Sequence, residues 1–440
     1  MKHGFFGIGN SNIGVYDYLS RQGELGEVTL RSDDQISYDA AARLGATRVF
    51  SFGESLADID EDILFLSPSV RREREQLILA KKRGTRLSSD LELFLERRGK
   101  LDYAITGSDG KSTTTYIIAA ALAASGIKTR PTGNFGTPLS SVIDSDDAVV
   151  AELSSFQLNY TTPEVGTAII TGITPNHLNW HSSLDEYIAA KRAITLKADR
   201  VILDADSELM ESLLTSRRIH AVASTSLQFN ELSKHVKSEH YLTYRCGTIY
   251  LDSSPLVDIS EAMRKETYNV KNYMLAIGAL ADSVSPKALG EVICSFSGLA
   301  HRAEFIAEKG GVKYYDSSVD STPERALATL RGMRGRTVAI IAGRGKKLSL
   351  FRLAEELPSL TVGCVLMGEI GRELSVLLSK IPGGYNHLFA DDMDGALIAA
   401  RHLLGGDGNV VLSPAGTSFD VYKNFEERGR AFCQAVLNTK

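Results

Sequence analysis

A glycine-rich turn ahead of an apolar, helix-like segment carries the clearest chemistry in this sequence. The segment ITGSDGKSTTT places Gly107 and Gly110 where backbone N–H groups can close around an anion. Lys111 can reach the terminal phosphates of a nucleotide, and the Ser112 hydroxyl can hold Mg²⁺. Residues 116–124 are rich in alanine, isoleucine and leucine, so the turn would lie at a helix N-terminus, whose dipole favours phosphate. The segment predicts a phosphate-binding loop.

The match to the usual phosphate-loop pattern is incomplete at its first position. Ile105 stands where G-x-x-x-x-G-K-S/T has a glycine. A glycine turn that merely caps a helix is therefore the alternative interpretation. Gly-Lys-Ser followed by three threonines favours phosphate binding, and with it nucleotide chemistry.

Three further polar residues occupy positions that suit metal or phosphate chemistry. Glu152 ends the apolar run AVVA, and an acid at the carboxyl end of a parallel strand beside a phosphate loop can hold Mg²⁺. His177 follows the apolar run AIIT; it has the i, i+4 spacing of a zinc pair with His181, but Pro175 predicts a loop there. Lys191 lies among small residues on a predicted helix, where a solvated lysine is the alternative.

Composition limits the class of protein. The chain has 440 residues, which suggests about three domains, with 43% hydrophobic residues and a net charge of −5. Neither nucleic-acid binding nor a disordered tail is indicated. The four cysteines are scattered singly, as expected for reduced core thiols. Without a membrane-spanning run or a signal-peptide pattern, the chain is expected to be a cytoplasmic enzyme.

Short apolar runs alternate with helical patterns along the whole chain, which predicts an α/β fold. We expect three α/β domains in series, covering residues 1–96, 97–294 and 295–440. The first apolar run is followed by Gly7, Gly9 and Gly14, an altered dinucleotide fingerprint for which a plain strand-to-helix turn is an equal alternative.

The polar segments, taken together, resemble the Mur ligase family over nearly the whole chain. The ELSSFQL segment from Glu152 and the KNFEERG segment from Lys423 are most specific to the member that adds D-glutamate. The other segments that carry the resemblance are the phosphate loop, GNFG from Gly133, NHL from Asn176 with Tyr187 and Lys191, Asn269 and Asn272, HRAE from His301, LSPA from Leu412 and SFD from Ser418.

This resemblance implies an N-terminal Rossmann-like domain for a UDP-sugar, a central P-loop ATPase-type domain and a C-terminal Rossmann-like domain for the amino acid. In the implied reaction, ATP phosphorylates the carboxylate of UDP-N-acetylmuramoyl-L-alanine. The amine of D-glutamate then attacks the acyl phosphate to give an amide, ADP and phosphate, a step of peptidoglycan precursor synthesis. Such an enzyme would use ATP and two Mg²⁺ ions and act as a cytoplasmic monomer without nucleic-acid partners or a membrane span.

The resemblance also implies roles for individual residues. Lys111, His177 and Lys191 would be catalytic; Ser112, Glu152 and His177 would hold metal, together with a carbamylated Lys191. The other implied contacts are Gly107, Ser108, Asp109, Gly110 and Thr113 with the phosphates, Asn272, Arg302 and Asp316 with the nucleotide, Asn134 and Ser154 with the UDP-muramoyl substrate, and Lys346, Ser418, Phe419 and Phe425 with D-glutamate.

Three positions depart from the family pattern. Asp109 stands where the family usually has asparagine and adds a negative charge beside the phosphates. Ser318 and Asp320 replace a lysine and a threonine that would help to hold the amino acid. We hypothesise that Arg325 or Arg344 supplies the missing positive charge.

These departures keep alternatives open. Another Mur-type or folylpolyglutamate synthase-like amide ligase would share the mechanism but use a different amino acid. A non-catalytic nucleotide-binding relative is disfavoured, because a binding protein has no need of the two-metal set Lys111, Ser112, Glu152, His177 and Lys191. A dehydrogenase is disfavoured more strongly, since its fingerprint is broken and the phosphate loop would be unexplained.

Overall fold

Three β-sheets with flanking helices make up the computed structural model. The structure describes residues 1–33, 36, 38–174, 180–214, 219–345, 349–418 and 420–439. The sheets and helices confirm the predicted α/β class. The chain forms two compact units, residues 1–297 and 298–440. The predicted domain boundaries after residues 96 and 294 stay predictions.

The first sheet is all parallel, with strand order β3-β2-β1-β4-β5, the order of the predicted Rossmann-type half. After β1, the side-chain amide of Asn12 donates to the carbonyls of Phe6, Gly7 and Phe65 and thereby closes the strand-to-helix turn. The elements are β1 Lys2–Phe6, α1 Asn10–Arg21, β2 Glu27–Ser32, α2 Tyr38–Arg43, β3 Arg48–Ser51, β4 Ile63–Leu66, α3 Glu75–Arg83, β5 Arg86–Ser88 and α4 Asp90–Arg98.

The second sheet has the order β14-β13-β12-β11-β10-β9-β6-β8-β7 and is parallel from β12 to β7. Its elements are β6 Leu101–Thr106, α5 Lys111–Ala124, β7 Thr129–Gly133, β8 Ala148–Glu152, α6 Ser155–Leu158, β9 Val165–Ile170, α7 Leu184–Arg192, β10 Ala198–Asp204, β11 Ile219–Ser224, α8 Phe229–His235, β12 His240–Arg245, β13 Thr248–Leu251, β14 Ser254–Asp258, α9 Thr267–Leu280 and α10 Pro286–Ser295. Because β6 lies between β8 and β9, the loop that follows β6 lies beside the carboxyl ends of these two strands.

The third sheet belongs to the second unit and has the order β15-β16-β20-β17-β18-β19, with only β15 antiparallel among these strands. Every residue of β17 is buried, as its apolar sequence TVAIIA predicts. The elements are β15 Glu304–Lys309, β16 Val312–Asp316, α11 Pro323–Gly332, β17 Thr337–Ala342, α12 Phe351–Leu360, β18 Gly363–Leu366, α13 Gly368–Leu378, β19 His387–Phe389, α14 Met393–Leu404, β20 Gly408–Ala415 and α15 Phe425–Asn438.

The four cysteines are free thiols, but the prediction that all lie in the core is wrong. Cys364 is buried on β18, whereas Cys246 is exposed and Cys294 and Cys433 are partly exposed. Cys246 lies in the turn between β12 and β13 and has φ of +49°. The helices within the described residues all fall short of the length and apolar content that a bilayer-spanning helix needs.

Candidate active site

The predicted phosphate loop connects β6 to α5, and both of its glycines are required by the backbone. Gly107 and Gly110 have φ of +149° and +80°, a region that L side chains rarely adopt. A Cβ on Gly107 would lie 2.0 Å from Thr171 Oγ1, and one on Gly110 would lie 2.2 Å from Asn272 Oδ1. The loop is therefore packed closely against the chain on both sides. This close packing fixes the direction of its N–H groups.

Two lysine amines donate to the carbonyls of this loop. Lys111 Nζ lies 2.9 Å from the Gly107 oxygen and 2.8 Å from the Ser108 oxygen. Lys191 Nζ, from α7, lies 2.6 Å from the same Gly107 oxygen and is only 2% exposed. The predicted alternative of a solvated lysine is thus wrong for Lys191. Burial and the nearby Lys111 ammonium hold the pKa of Lys191 well below its usual range.

Three of the predicted residues form a continuous hydrogen-bonded chain beside the loop. Ser112 Oγ donates to Glu152 Oε2 at 2.6 Å, and Asn134 Nδ2 donates to Glu152 Oε1 at 2.7 Å. Glu152 ends β8 and is 2% exposed. The structure therefore brings together the serine hydroxyl and the carboxylate that were predicted as Mg²⁺ ligands, although they come from different strand ends.

Tyr187 is a further member of the site that the residue pattern alone did not single out. Its hydroxyl lies 2.7 Å from Ser108 Oγ, and its ring lies under Lys191 Nζ at 4.9 Å from the centroid. Burial raises the pKa of Tyr187 to about 12, so the hydroxyl keeps its proton at neutral pH. Thr171 Oγ1 donates to the carbonyl oxygen of Asp109 on the other side of the loop. These contacts hold the loop from two sides.

Among the remaining predicted residues of this unit, Asn272 contacts α5 and Ser154 has a local partner. Asn272 is 4% exposed on α9, and its Oδ1 accepts from Thr114 Oγ1 at 3.4 Å. Ser154 caps α6, where its hydroxyl accepts from the Gln157 N–H at 3.3 Å. Thr113 is buried in the first turn of α5, and the side chain of Asp109 is exposed.

In the second unit, Asp316 is completely buried at the end of β16. It accepts from His301 Nδ1 at 2.6 Å and from the Ser318 N–H at 2.8 Å. The hydrogen bond to Asp316 raises the pKa of His301. A Cβ on Gly429 would lie 2.1 Å from His301 Nδ1, which explains the glycine in the KNFEERG segment. Asp316 therefore favours the protonated form of His301. The neighbouring Arg302 is exposed.

The departure at Ser318 has an unforeseen neighbour, the buried guanidinium of Arg428. Arg428 is 1% exposed and donates to Ser318 Oγ at 3.0 Å, to the Ser318 carbonyl at 2.9 Å and to the Gly416 carbonyl at 3.1 Å. Burial lowers its pKa to about 10, which keeps the charge at neutral pH. Asp320 accepts from Ser413 Oγ at 2.8 Å, and burial raises its pKa.

Ser418 and Phe425 lie close to this arginine along the chain. Ser418 is 3% exposed, and its carbonyl accepts from the Tyr422 N–H at 2.8 Å. Phe425 opens α15 and meets the His301 ring edge to face at 6.2 Å. Of the two arginines hypothesised to supply charge, Arg325 donates to the Val319 carbonyl at 3.3 Å. Arg344 pairs with Glu369, with Nε of the arginine 3.4 Å from Oε2 of the glutamate.

Three predicted residues, His177, Lys346 and Phe419, lie outside the described residues. The predicted histidine pair therefore has one member, His177, outside these residues. His181 itself is 2% exposed, and its Nε2 lies 2.9 Å from Ser155 Oγ.

Comparison with known proteins adds the family. A profile of the Mur ligase middle domain matches residues 105–280. Proteins named UDP-N-acetylmuramoylalanine–D-glutamate ligase from Ruminiclostridium cellulolyticum and Clostridium kluyveri are each 34% identical to this chain, over 99% of its length and 96% of theirs. The chain belongs to the Mur ligase family. Membership in the Mur ligase family implies ATP use and accounts for the phosphate loop.

Solved structures support the same fold. The UDP-N-acetylmuramate–alanine ligase of Thermotoga maritima superimposes with a TM-score of 0.60 at 20% identity, over 100% of both chains. A murein peptide ligase from Psychrobacter arcticus gives a TM-score of 0.55 at 17% identity, over 100% of this chain and 99% of that one. At these identities the likeness shows the Mur ligase fold alone.

Proposed function

We propose that this chain is the ligase that joins D-glutamate to UDP-N-acetylmuramoyl-L-alanine at the expense of ATP. The similarity of full-length relatives with that name supports the choice of substrates. The observation that carries the chemistry is the arrangement of Lys111, Ser112, Glu152 and Lys191 around one loop. A carboxylate is a poor acyl donor until one of its oxygens becomes part of a leaving group, and two anions meet only where cations offset their repulsion.

In the proposed reaction, an oxygen of the substrate carboxylate attacks the γ-phosphorus of ATP, and the bond from that phosphorus to ADP breaks. Lys111, now on the loop carbonyls, would turn to the β- and γ-phosphates. The amine of D-glutamate then attacks the acyl carbon, and the carbon–oxygen bond to phosphate breaks. The loop N–H groups and Lys111 would hold the transferred group in line during the first step.

The oxygen atoms at Ser112 and Glu152 fit Mg²⁺, since this ion prefers hard oxygen ligands. The hydroxyl and the carboxylate already lie 2.6 Å apart, with Asn134 fixing the second carboxylate oxygen. Mg²⁺ at this place would neutralise charge on the phosphates. We propose a second Mg²⁺ held by a carbamylated Lys191 with His177.

The burial of Lys191 supports this carbamylation. A lysine reacts with CO₂ only as the neutral amine: the nitrogen bonds to the carbon, and one proton leaves. Since burial lowers the pKa of Lys191, more of the amine is neutral at physiological pH than for an exposed lysine. The product would be a carboxylate on the Lys191 side chain, which could hold Mg²⁺ beside the phosphate loop.

The remaining assignments are proposals at the same level. Asn134 and Ser154 would contact the UDP-muramoyl substrate; Asn272, Arg302 and Asp316 would serve the nucleotide. Lys346, Ser418, Phe419 and Phe425 would hold D-glutamate. We propose a monomeric, cytoplasmic enzyme.

The deciding experiment measures phosphate release from ATP and Mg²⁺ with UDP-N-acetylmuramoyl-L-alanine, comparing D-glutamate with L-glutamate, L-lysine and glycine. We expect release that depends on D-glutamate. Release that depends on another amino acid would show that D-glutamate is the wrong substrate and that the ligase mechanism still holds. No release with any amino acid would overturn the ligase assignment and favour a different acceptor or a binding protein.

A pair of lysine variants ties this activity to the phosphate loop. Lys111→Ala should abolish turnover, because it removes the cation from the transferred phosphoryl group. Lys128→Ala, an exposed lysine just beyond α5, is the matched control and should keep wild-type turnover. Near-normal activity of Lys111→Ala would contradict the loop assignment.

A further inference from the structure

A second group of side chains with metal-ligating atoms lies in the central sheet, at the end of the strands opposite the phosphate loop. His220 is the second residue of β11, and Glu239 and His240 lie where β12 begins. Since β6, β9, β10, β11 and β12 all run parallel, the phosphate loop follows the carboxyl end of β6, whereas this group lies at the amino ends of β11 and β12. The residues proposed above for ATP and substrates do not include it.

The register of the two strands brings the three side chains together. Ala221 pairs with His240, which sets Glu239 level with His220. Nδ1 of His220 lies 3.1 Å from Oε2 of Glu239. One ligand atom from each of the three residues lies within 4.8 Å of the other two, and the two imidazole rings meet edge to face with centroids 5.2 Å apart. Ligands at about 2 Å from a tetrahedral ion are about 3.3 Å apart, so small side-chain movements would close the set.

Each histidine also has an aspartate carboxylate near one of its ring nitrogens. Nδ1 of His240 lies 2.7 Å from Oδ2 of Asp252, and Nε2 of His220 lies 3.5 Å from Oδ2 of Asp282. Asp252 is itself fixed, because its other oxygen accepts from the Tyr241 N–H at 2.9 Å. Histidine ligands usually donate their second ring N–H to a carboxylate, which orients the ring and raises the basicity of the metal-binding nitrogen. His240 has this arrangement with Asp252, and the Asp282 carboxylate lies at ion-pair distance from the second ring nitrogen of His220.

The charges around the group favour a cation. Three carboxylates, those of Glu239, Asp252 and Asp282, face the two imidazoles. Arg200 is a counter-charge, with its Nη1 at 3.3 Å from Oδ2 of Asp282. The side chain of His240 is 35% exposed, so an ion can reach the group from solvent.

We propose that His220, Glu239 and His240 bind a late first-row divalent metal ion such as Zn²⁺, with Asp252 and Asp282 orienting the histidines. Two imidazoles and one carboxylate form a set that suits Zn²⁺, whereas Mg²⁺ prefers oxygen ligands. Water would complete the coordination. The ion would join β11 to β12, and through Asp252 to the β13–β14 turn, and so stabilise the fold. This proposal is independent of the ligase reaction.

The test titrates the metal-stripped, full-length protein with Co²⁺ in excess Mg²⁺, which occupies the oxygen-rich sites. We expect the visible absorption of four-coordinate Co²⁺, which Zn²⁺ then displaces. His240→Gln should weaken binding at least about tenfold, and Asp252→Asn should weaken it about 10- to 100-fold. His235→Gln, which alters an exposed histidine on α8, is the matched control and should bind like the wild type.

Two results would overturn the proposal. One is the absence of the four-coordinate absorption from the wild-type protein, and the other is equal Co²⁺ affinity of His240→Gln and His235→Gln. Repeating the titration on Lys191→Ala excludes the proposed catalytic metal site as the source, because the absorption must persist there. Circular dichroism checks folding; where His240→Gln unfolds, Glu239→Gln carries the same test.

Discussion

Lys191 shows how burial prepares a side chain for a chemical role. Its amine is 2% exposed and has only the Gly107 carbonyl and the more distant Thr106 hydroxyl, at 2.6 and 3.5 Å, among its hydrogen-bond acceptors in the described part of the chain. An ammonium in this place loses most of its hydration, whereas a carbamate would be stabilised by a metal ion and by Lys111. The role proposed for Lys191 therefore depends on modification.

Replacement of this lysine gives a prediction at the residue scale. Lys191→Ala should lose at least about 100-fold in kcat, and short carboxylic acids such as acetate should restore part of it by supplying the missing carboxylate. Phosphate release with and without acetate is the measurement. Lys197→Ala, exposed five residues after the helix, is the control and should respond to neither change. If Lys191→Ala is inactive and short carboxylic acids do not raise its kcat, carbamylation of Lys191 would be contradicted.

Arg428 gives a second prediction at this scale, for stability. Arg428→Met would leave Ser318 Oγ and the carbonyls of Ser318 and Gly416 without their donor inside the protein. We expect the free energy of unfolding to fall by about 3 kcal/mol or more, measured by urea denaturation. Arg430→Met alters an exposed arginine two residues away and should change it by less than about 0.5 kcal/mol. Equal effects of the two would contradict the buried network.

Single residues differ in how far the sequence predicts them. Ser112 and Glu152 are each predicted as Mg²⁺ ligands, because a phosphate loop and a strand-end acid have positional signatures. The structure places their side chains 2.6 Å apart, and the metal role stays a prediction. Arg428 and Tyr187 were not given roles from the residue pattern, since an arginine or a tyrosine on a helix is ordinary in sequence. Only tertiary packing places the one under Ser318 and the other under Lys191.

At the scale of elements, helix α5 has a glycine with positive φ at each end. Gly110 precedes it with φ of +80°, and Gly126 follows it with φ of +82°. A Cβ on Gly110 would meet Asn272 at 2.2 Å, whereas a Cβ on Gly126 meets nothing within 4 Å. A side chain would therefore strain the backbone at both positions, and at Gly110 it would also meet Asn272.

Alanine substitutions at these glycines separate the two effects. Gly126→Ala should lower the free energy of unfolding by about 1–2 kcal/mol through strain alone and leave ATP binding unchanged. Gly110→Ala should lower it further and weaken ATP binding, because the loop must move away from Asn272. Calorimetry for ATP and thermal unfolding for stability are the measurements. Indistinguishable variants would show that the loop has room to relax.

The sequence predicts a strand where its apolar run is long. The apolar run TVAIIA at residues 337–342 predicts a buried strand, and β17 has the same bounds, because a fully buried parallel strand is apolar throughout. β15 was not predicted, since its residues are only partly buried or exposed along its length and its pairing with β16 is antiparallel. β19 is three residues long and leaves no periodic pattern to detect.

At the scale of the whole molecule, the residues proposed for one reaction come from both compact units, 1–297 and 298–440. We therefore expect a test of the order of bond making to need the intact chain. If the substrate carboxylate attacks ATP first, one of its oxygens must leave with the phosphate. ¹⁸O placed in the carboxylate of UDP-N-acetylmuramoyl-L-alanine should thus appear in the released phosphate, as measured by mass spectrometry.

A control defines this isotope experiment. ¹⁸O-labelled water in the medium should leave the phosphate unlabelled, because hydrolysis is not part of the proposed sequence. Phosphate that takes its oxygen from water instead would show ATP hydrolysis uncoupled from ligation, and the acyl-phosphate mechanism would be wrong for this chain.

Lys111 donates hydrogen bonds to the Gly107 and Ser108 carbonyls, and we expect these bonds to make nucleotide affinity depend on the length of the phosphate chain. Its ammonium already has two acceptors, so an incoming anion must compete with them. A monophosphate that reaches only the near part of the loop leaves the lysine in place and gains little from it. A triphosphate would offer the ammonium further anionic oxygens in exchange for these carbonyls. We therefore expect the loop to bind longer phosphate chains better, so that adenosine monophosphate inhibits less well than the diphosphate.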